Sequence, residues 1–286
     1  MTESPATPRF RAPEWFVFGL MASVTFVGLL SELIPSGILP QMSESLGVSE
    51  SRIGMLVGVY ALASALCTIP LVSATLSVNR KHLLLVLLAG FAVSNIVVGL
   101  TSSYAVMVGA RIVGGICAGV MWPMIAAYGT RLVPPDRHGR VITVIMAGST
   151  LGISIGLPAM TLVGLQFGWR TEFLVFGLGV ALIAALCHLY LPAVPGEQRT
   201  RSNSPLTLLK NRTILVVILL TFLSVTVHYA VYTYIALLVE TVALAGGTGV
   251  ALLVFGAGSV ISVVDQKSGS AGMPRPLRTS RMPSSA

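Results

Sequence analysis

Long apolar runs alternate with short polar connections along most of the chain. Each run is about 18–25 residues long, the length that an α-helix needs to cross roughly 30 Å of hydrocarbon. The runs show no alternation of apolar and polar residues with a period of two, so the pattern favours helices over the strands of a membrane barrel. It predicts an all-α integral membrane protein with eight spans. They cover about Trp15–Pro40, Ile53–Leu76, Leu83–Thr101, Ala105–Tyr128, Val141–Phe167, Phe173–Leu191, Thr213–Val239 and Gly249–Val264.

The composition agrees with a surface that faces lipid. Apolar residues make up 54% of the chain and charged residues 10%, whereas a soluble domain carries about 25% charged residues. The formal net charge of +8 would fit nucleic-acid binding, but the basic residues fall between the spans, where the topology rule for membrane proteins accounts for them. The expected partner is therefore the lipid bilayer and not a nucleic acid.

Basic residues mark alternate connections. One set carries clusters such as Arg80 with Lys81, whereas the opposite set carries only Arg52 and Arg170. Because basic connections stay in the cytoplasm, the N-terminus is predicted to be cytoplasmic. An even number of spans returns the C-terminus to the same side. The expected location is the inner (plasma) membrane, with several passes and both termini inside.

One connection is longer than the others. Residues 193–212 are rich in Pro, Ser and Arg and follow six closely spaced spans, as expected of a linker between two helix bundles. The predicted organisation is a cytoplasmic tail, a six-helix bundle, a linker, two helices of an incomplete second bundle and a polar tail that fits a change of reading frame. These segments cover residues 1–13, 14–192, 193–212, 213–264 and 265–286.

Span five contains a glycine ladder. Gly148, Gly152 and Gly156 recur at every fourth position, so they share one helix face and let another backbone approach closely. Pro158 removes a backbone donor and is expected to bend the helix. Tight packing alone would explain the glycines. The complete ladder, which ends in Gly-Leu-Pro, resembles the antiporter motif in the fifth helix of major facilitator exporters.

Further motifs follow in the order typical of the same superfamily, in its drug:proton antiporter and sugar-efflux branch. The resemblance covers about Phe16 to Ile261. It implies two six-helix bundles and the secondary transport of small molecules, such as drugs or sugars, in exchange for protons. The matching positions are Ser31–Pro35 with Gly37, Arg111 with Gly115 and Gly119, Phe167–Arg170 with Phe173, and Tyr232–Ile235.

Two features depart from this family pattern. The connection between spans two and three lacks the G-x-x-x-D-R-x-G-R-R motif and keeps only Arg80 and Lys81, which puts the gating role of that loop in question. The chain also offers about eight spans, and its sequence turns polar after Val264. A truncated transporter is therefore expected. The alternative function is a non-transporting remnant that a partner or an oligomer would stabilise.

Ionisable residues inside the spans are candidates for the transport site, because charges in hydrocarbon are costly. Glu32 and Arg111 are predicted to lie at similar depths, about 9–12 Å below the outer surface at the helical rise per residue. In the functional interpretation Glu32 exchanges a proton, while Arg111 holds its charge or binds substrate. Alternatively, both side chains extend to the headgroups. His228, midway along span seven, would relay protons or form a structural hydrogen bond.

Small and polar residues share one face of span one. Thr25, Gly28, Glu32 and Pro35 recur at helical spacing, and this face is expected to line a cavity. Asn95 in span three is expected to form a hydrogen bond between helices.

Motifs for enzymatic chemistry are absent from the sequence. It contains no G-x-x-x-x-G-K-[ST] nucleotide-binding motif, no metal-ligand spacing and no nucleophile–base motif. Cys67, Cys117 and Cys187 lie singly in different spans. No enzymatic activity, cofactor or metal site is expected.

Overall fold

Helices make up the fold throughout the part of the chain that the structure describes. The computed structural model describes residues 12–197, 212–243, 246–255 and 257–258, without the side chains of residues 228, 229 and 232. The helices are α1 (Glu14–Gly37), α2 (Leu39–Leu46), α3 (Glu50–Thr75), α4 (Arg80–Leu100), α5 (Tyr104–Thr130), α6 (His138–Leu151), α7 (Leu157–Phe167), α8 (Trp169–Tyr190), α9 (Arg212–Thr233) and α10 (Ile235–Thr241).

Six helical segments in the described residues are long and apolar enough to cross a membrane. They are α1, α3, α4, α5, the continuous segment Pro135–Phe167 and α8, and they correspond to the first six predicted spans. The largest difference is at the start of span five, which was predicted at Val141. The segment begins earlier because a 3-10 turn at Pro135–Arg137 and the polar first turn of α6 continue the helix beyond its apolar part.

The seventh predicted span is interrupted. Helix α9 ends at Thr233, Tyr234 has a non-helical backbone conformation, and α10 begins at Ile235. Of the eighth predicted span, the structure shows helix over residues 247–255. The predicted span end near residue 264, the polar tail at 265–286 and most of the linker lie outside the described residues.

Helix α1 lies at the centre of the bundle. It packs against α3, α5, α6, α7 and α8, and its residues from Val27 to Gly37 are all buried. Around it, α3 pairs with α5, and α4 packs between α5 and α8. The polar groups of α1 therefore face other helices and not lipid.

The glycine ladder packs directly on α1. A side chain at Gly148 would meet the backbone carbonyl of Ala22 and the hydroxyl of Thr25, and side chains at Gly152 and Gly156 would meet Phe26. A Cβ at Gly152 would lie 3.2 Å from the Phe26 carbonyl oxygen. The predicted close approach of a second backbone is therefore observed, and the partner is α1.

The helix changes its hydrogen-bond pattern just before Pro158. Residues Gly152–Gly156 form a π-helical segment, and the Leu157 N–H donates to the Gly152 carbonyl, five residues earlier. Because proline cannot donate a backbone hydrogen bond, the regular pattern cannot continue through Pro158. The expected disturbance at this proline thus takes the form of a π segment.

The expectation that one face of α1 lines a cavity is wrong for two of its four residues. Thr25 is fully buried and donates a hydrogen bond to the Ile145 carbonyl on α6 at 2.5 Å. Gly28 lies against Met121 on α5. Because these residues are small, the neighbouring helices approach closely and fill the space that a cavity would occupy.

The segment 192–197 folds back across one end of the bundle, which we call the linker end. The Tyr128 hydroxyl donates to the Pro192 carbonyl at 2.5 Å, and an Arg131 guanidinium N–H donates to the Pro195 carbonyl at 2.6 Å. The Arg80 backbone N–H donates to the Val194 carbonyl at 2.9 Å. The segment is therefore bound to both α4 and α5.

Arg80, which remains from the otherwise absent family motif, contributes to the same contact. Its side chain is nearly buried and donates to the Leu76 carbonyl at 2.9 Å. The Arg80 guanidinium also lies 3.6 Å from the Glu197 carboxylate. The Glu197 backbone N–H donates to the Leu76 carbonyl at 2.7 Å. In this chain Arg80 joins the connection between α3 and α4 to the start of the linker.

Candidate transport site

Arg111 is a fully buried cation in the middle of the helix bundle. Its guanidinium donates to the carbonyls of Ser31 and Glu32 on α1, the latter at 2.7 Å. Its Nε donates to the Leu56 carbonyl on α3 at 3.3 Å. The planar guanidinium can reach several acceptors at once, so one residue of α5 binds two other helices. The alternative in which Arg111 extends to the headgroups does not fit this burial.

Tyr60 supplies an aromatic surface for the same cation. The Arg111 guanidinium carbon lies 4.3 Å from the centroid of the Tyr60 ring, and Tyr60 is fully buried. A desolvated cation–π contact of this kind contributes about 2 kcal/mol. The close approach depends on Gly115, because a Cβ there would overlap the Tyr60 carbonyl. These contacts hold α3 and α5 side by side.

Glu32 lies beside this cluster on α1. Its side chain is 8% exposed, and its carboxyl group interacts electrostatically with Arg111 and Tyr60. The structure therefore brings together the two ionisable residues that the sequence singled out. Arg111 also donates a hydrogen bond to the Glu32 backbone carbonyl.

Asn95 connects α4 to the same part of α1. Its side-chain amide donates to the Ser31 hydroxyl at 2.9 Å and to the Phe91 carbonyl at 2.8 Å. The predicted hydrogen bond between helices is confirmed. Ser94 next to it donates to the Ala110 carbonyl on α5 at 2.6 Å. Polar contacts from α3, α4 and α5 therefore converge around residues 31 and 32.

The remaining candidates are separate from this cluster or not described. His228 belongs to α9, but its side chain lies outside the described residues. The ladder of Gly148, Gly152 and Gly156 contacts α1 between Ala22 and Leu30, which is the stretch before the Arg111 contacts.

Sequence reasoning missed Tyr60 and Glu172. Tyr60 lies four residues after Leu56, and this helical spacing places both on the face of α3 that meets Arg111. Glu172 was assigned to a connection, because the predicted span began at Phe173. Gly168 has a φ of +87°, which favours glycine, and lets α8 start at Trp169. Glu172 consequently lies in the first turn of a membrane helix and is fully buried.

Metal ligands do not cluster in the described residues. No group of three or more His, Cys, Asp or Glu side chains there could hold a metal ion.

The chain resembles several solved transporters in fold. A D-xylose-proton symporter matches with a TM-score of 0.63 and 18% identity, over 90% of this chain and 69% of that one. A bacterial homologue of the human lysosomal transporter Spinster matches with a TM-score of 0.58 and 17% identity, over 68% and 47%. A POT family transporter in complex with 5-aminolevulinic acid has a TM-score of 0.56 and 16% identity, over 76% and 47%.

The chain thus spans about half the length of the Spinster homologue and of the POT family transporter. At these identities the similarity establishes the fold. A sequence model described as Major Facilitator Superfamily matches residues 21–279, which is most of the chain. Together with the six membrane-crossing helices, this match shows that the chain is a multi-pass membrane protein that belongs to the Major Facilitator Superfamily, a family of transporters and not of enzymes.

Proposed function

We propose that this chain forms part of a proton-coupled exporter of small molecules, such as drugs or sugars, in the inner membrane. The observation that carries the proposal is the buried Arg111, which binds the backbone of Glu32 and lies beside its carboxyl group. Opposite charges attract one another more strongly inside a protein than in water, because the effective dielectric is lower. Protonation of Glu32 therefore changes the net charge of the pair formed by Glu32 and Arg111, which is the charge that a substrate meets.

Exchange follows from this electrostatic link. When Glu32 is ionised, its charge balances that of Arg111. When Glu32 is protonated, the Arg111 cation has no counter-charge. It then attracts an anionic or polar group of the substrate, or it favours a conformational change that reduces its burial. Proton binding and substrate binding are then coupled through one residue pair, as secondary transport requires.

The glycine ladder favours export within this proposal. It resembles the antiporter motif of the family, and it packs on α1 within one turn of Ser31 and Glu32. A displacement of the segment 152–156 would therefore be transmitted to the helix that carries the proton site.

Symport is a second candidate, because a D-xylose-proton symporter is among the similar structures. The two mechanisms differ in the direction in which protons move with substrate. In proteoliposomes with a pH dye inside, substrate entering by antiport makes the interior more alkaline as protons leave, whereas symport makes it more acidic. Sugars and drugs that carry an anionic or polar group are the substrates to compare.

The same assay tests the role of Glu32. The Glu32→Gln variant should lose proton movement because it keeps the shape but cannot titrate, whereas Glu32→Asp should retain it. Glu44→Gln, which changes an exposed acid in α2, is the matched control. If the Glu32→Gln variant moves as many protons per substrate molecule as the wild type does, Glu32 has no part in the mechanism.

We also propose that these 286 residues do not transport by themselves. Alternating access uses two bundles that move around a central site, and the described residues contain six membrane-crossing helices. Under an imposed pH gradient, the 286-residue chain should show no flux beside a version extended by a second six-helix bundle. If the 286-residue chain and the extended version transport at similar rates, this proposal is contradicted. The Glu32 variants are to be compared in whichever of the two forms transports.

A further inference from the structure

Glu172 is a second buried carboxylic acid within the membrane-crossing helices. It lies in the first turn of α8, where its carboxylate is close to Gly164 on α7, and Gly164 also packs on Ile38 at the junction between α1 and α2. Glu172 is fully buried. Both of its carboxyl oxygens lack a hydrogen-bond partner among the described residues. We call this end of the bundle, which holds α2, the α2 end.

Other buried polar atoms lie around the same junction. Thr161 Oγ1, one helical turn before Gly164 on α7, packs against Gly37. Ser36 Oγ is adjacent in sequence, and Gln41 Oε1 lies in the first turn of α2. All three atoms are buried and without a hydrogen-bond partner in the described part of the chain. Several polar groups are therefore removed from water where α1 and α2 meet α7 and α8.

No basic side chain in the described residues balances Glu172. Arg170, two residues earlier, stacks on Trp169 at 4.2 Å and donates to the hydroxyls of Ser45 at 3.3 Å and Ser102 at 3.0 Å. Helix α7 carries no titratable residue, and neither does α4 from Leu83 to its end at Leu100, where it packs on α8. On α1 and α2, the titratable residues from Val17 onward are the acids Glu32 and Glu44.

We propose that Glu172 is a proton-binding site at the α2 end, occupied while the junction between α1 and α2 is packed on α7 and α8. An ionised carboxylate that is buried without a cation or hydrogen-bond donors is very unfavourable, whereas the neutral acid costs much less. Loss of the proton favours separation of the junction, because water can then solvate the charge. This site is distinct from Glu32 and does not depend on the proposed export.

Infrared spectroscopy of the 286-residue chain in lipid bilayers tests whether the proton is present. At neutral pH the wild-type chain should show a carboxylic acid C=O stretching band that shifts in D₂O. Glu172→Gln should lose a component of this band that both Glu32→Gln and Glu44→Gln retain, so the result is independent of the role of Glu32. Unchanged spectra in Glu172→Gln would overturn the proposal. If the band appears only when Na⁺ is removed, Glu172 binds a metal cation and not a proton under these conditions. That result would also overturn the proposal.

Thiol accessibility tests the coupling to the junction. Ser36→Cys reports on the buried junction and Ser49→Cys, which is exposed, corrects for the intrinsic pH dependence of thiol reactivity. Both are made in a chain whose native cysteines are replaced by alanine and which is held in lipid nanodiscs. With Glu172 present, the ratio of their labelling rates should rise with pH, by at most about tenfold per unit for one released proton.

In the Glu172→Gln background the ratio should be independent of pH, since the amide cannot titrate. Circular dichroism checks that this variant keeps the helix content of the wild type. An equal rise of the ratio with and without the carboxyl group would show that another group controls the junction and would refute the coupling.

Discussion

Replacing Gly148 by alanine adds one methyl group at the closest contact between α1 and the helix that carries the glycine ladder. The new Cβ would overlap the Ala22 carbonyl and the Thr25 hydroxyl. A backbone carbonyl cannot rotate away as a side chain can, so α1 and α6 must move apart. We therefore expect Gly148→Ala to destabilise the bundle.

Three contributions determine the size of the effect. Overpacking of a close contact costs about 1–3 kcal/mol. Displacement of Thr25 weakens its hydrogen bond to the Ile145 carbonyl, and such bonds between membrane helices contribute about 0.6 kcal/mol on average. Alanine offsets part of this loss, because it favours helix by up to about 1 kcal/mol relative to glycine. The expected net loss in the free energy of unfolding is about 1–2.5 kcal/mol.

Two other glycines on the same helical segment provide a graded comparison. A Cβ at Gly152 would lie 3.2 Å from the Phe26 carbonyl oxygen, which requires only a small shift. A Cβ at Gly139 would meet nothing within 4 Å. The order of stability should therefore be Gly139→Ala, then Gly152→Ala, then Gly148→Ala.

Unfolding in mixed micelles with increasing sodium dodecyl sulfate, followed by circular dichroism, measures these differences. Gly139→Ala should be as stable as the wild type or slightly more stable. If Gly148→Ala and Gly139→Ala unfold at the same detergent fraction, α1 and α6 are not in the close contact described above.

Three further predictions concern the cation site, the linker and the orientation. Arg111→Lys should lower the free energy of unfolding by about 1.5–3 kcal/mol in the same micelle assay, since a single ammonium group cannot replace hydrogen bonds to two helices; equal stability would contradict the site. Arg80→Gln should speed limited proteolysis within residues 192–197, because it removes side-chain contacts that hold this segment. Cysteines at Ser45 and Ser204 should label oppositely with an impermeant reagent in intact cells, and equal labelling would overturn the predicted cytoplasmic termini.

Much of the fold could be predicted because the membrane restricts what a backbone can do. Lipid requires that each span satisfies its own hydrogen bonds, so the length of apolar runs identified α1, α3, α4, α5 and α8. The same cost of burial drew attention to Glu32 and Arg111. Where the rule does not act, at the first turn of a helix or in a polar connection, the predicted boundaries differed from the observed ones.

The rest depends on contacts between residues that are distant in sequence. Periodicity indicated that Gly148 and its repeats share a face, but not that α1 covers it. Tyr60 looks like any aromatic residue in an apolar run until Arg111 is placed on its ring. The buried position of Glu172 follows from the turn at Gly168. The segment 192–197 is held by hydrogen bonds to α4 and α5, which local sequence does not specify.

The central position of α1 has a consequence for the synthesis of this protein. Helix α1 is made before the other described helices, and Arg111, which binds the carbonyls of Ser31 and Glu32, is made about 80 residues later. At about 5–20 residues per second, this separation corresponds to about 4–16 s. During that interval α1 must stay at the site of insertion with its polar residues shielded by the insertion machinery or by water. Although α1 precedes the other described helices in the chain, it is therefore among the last of them to acquire its final neighbours.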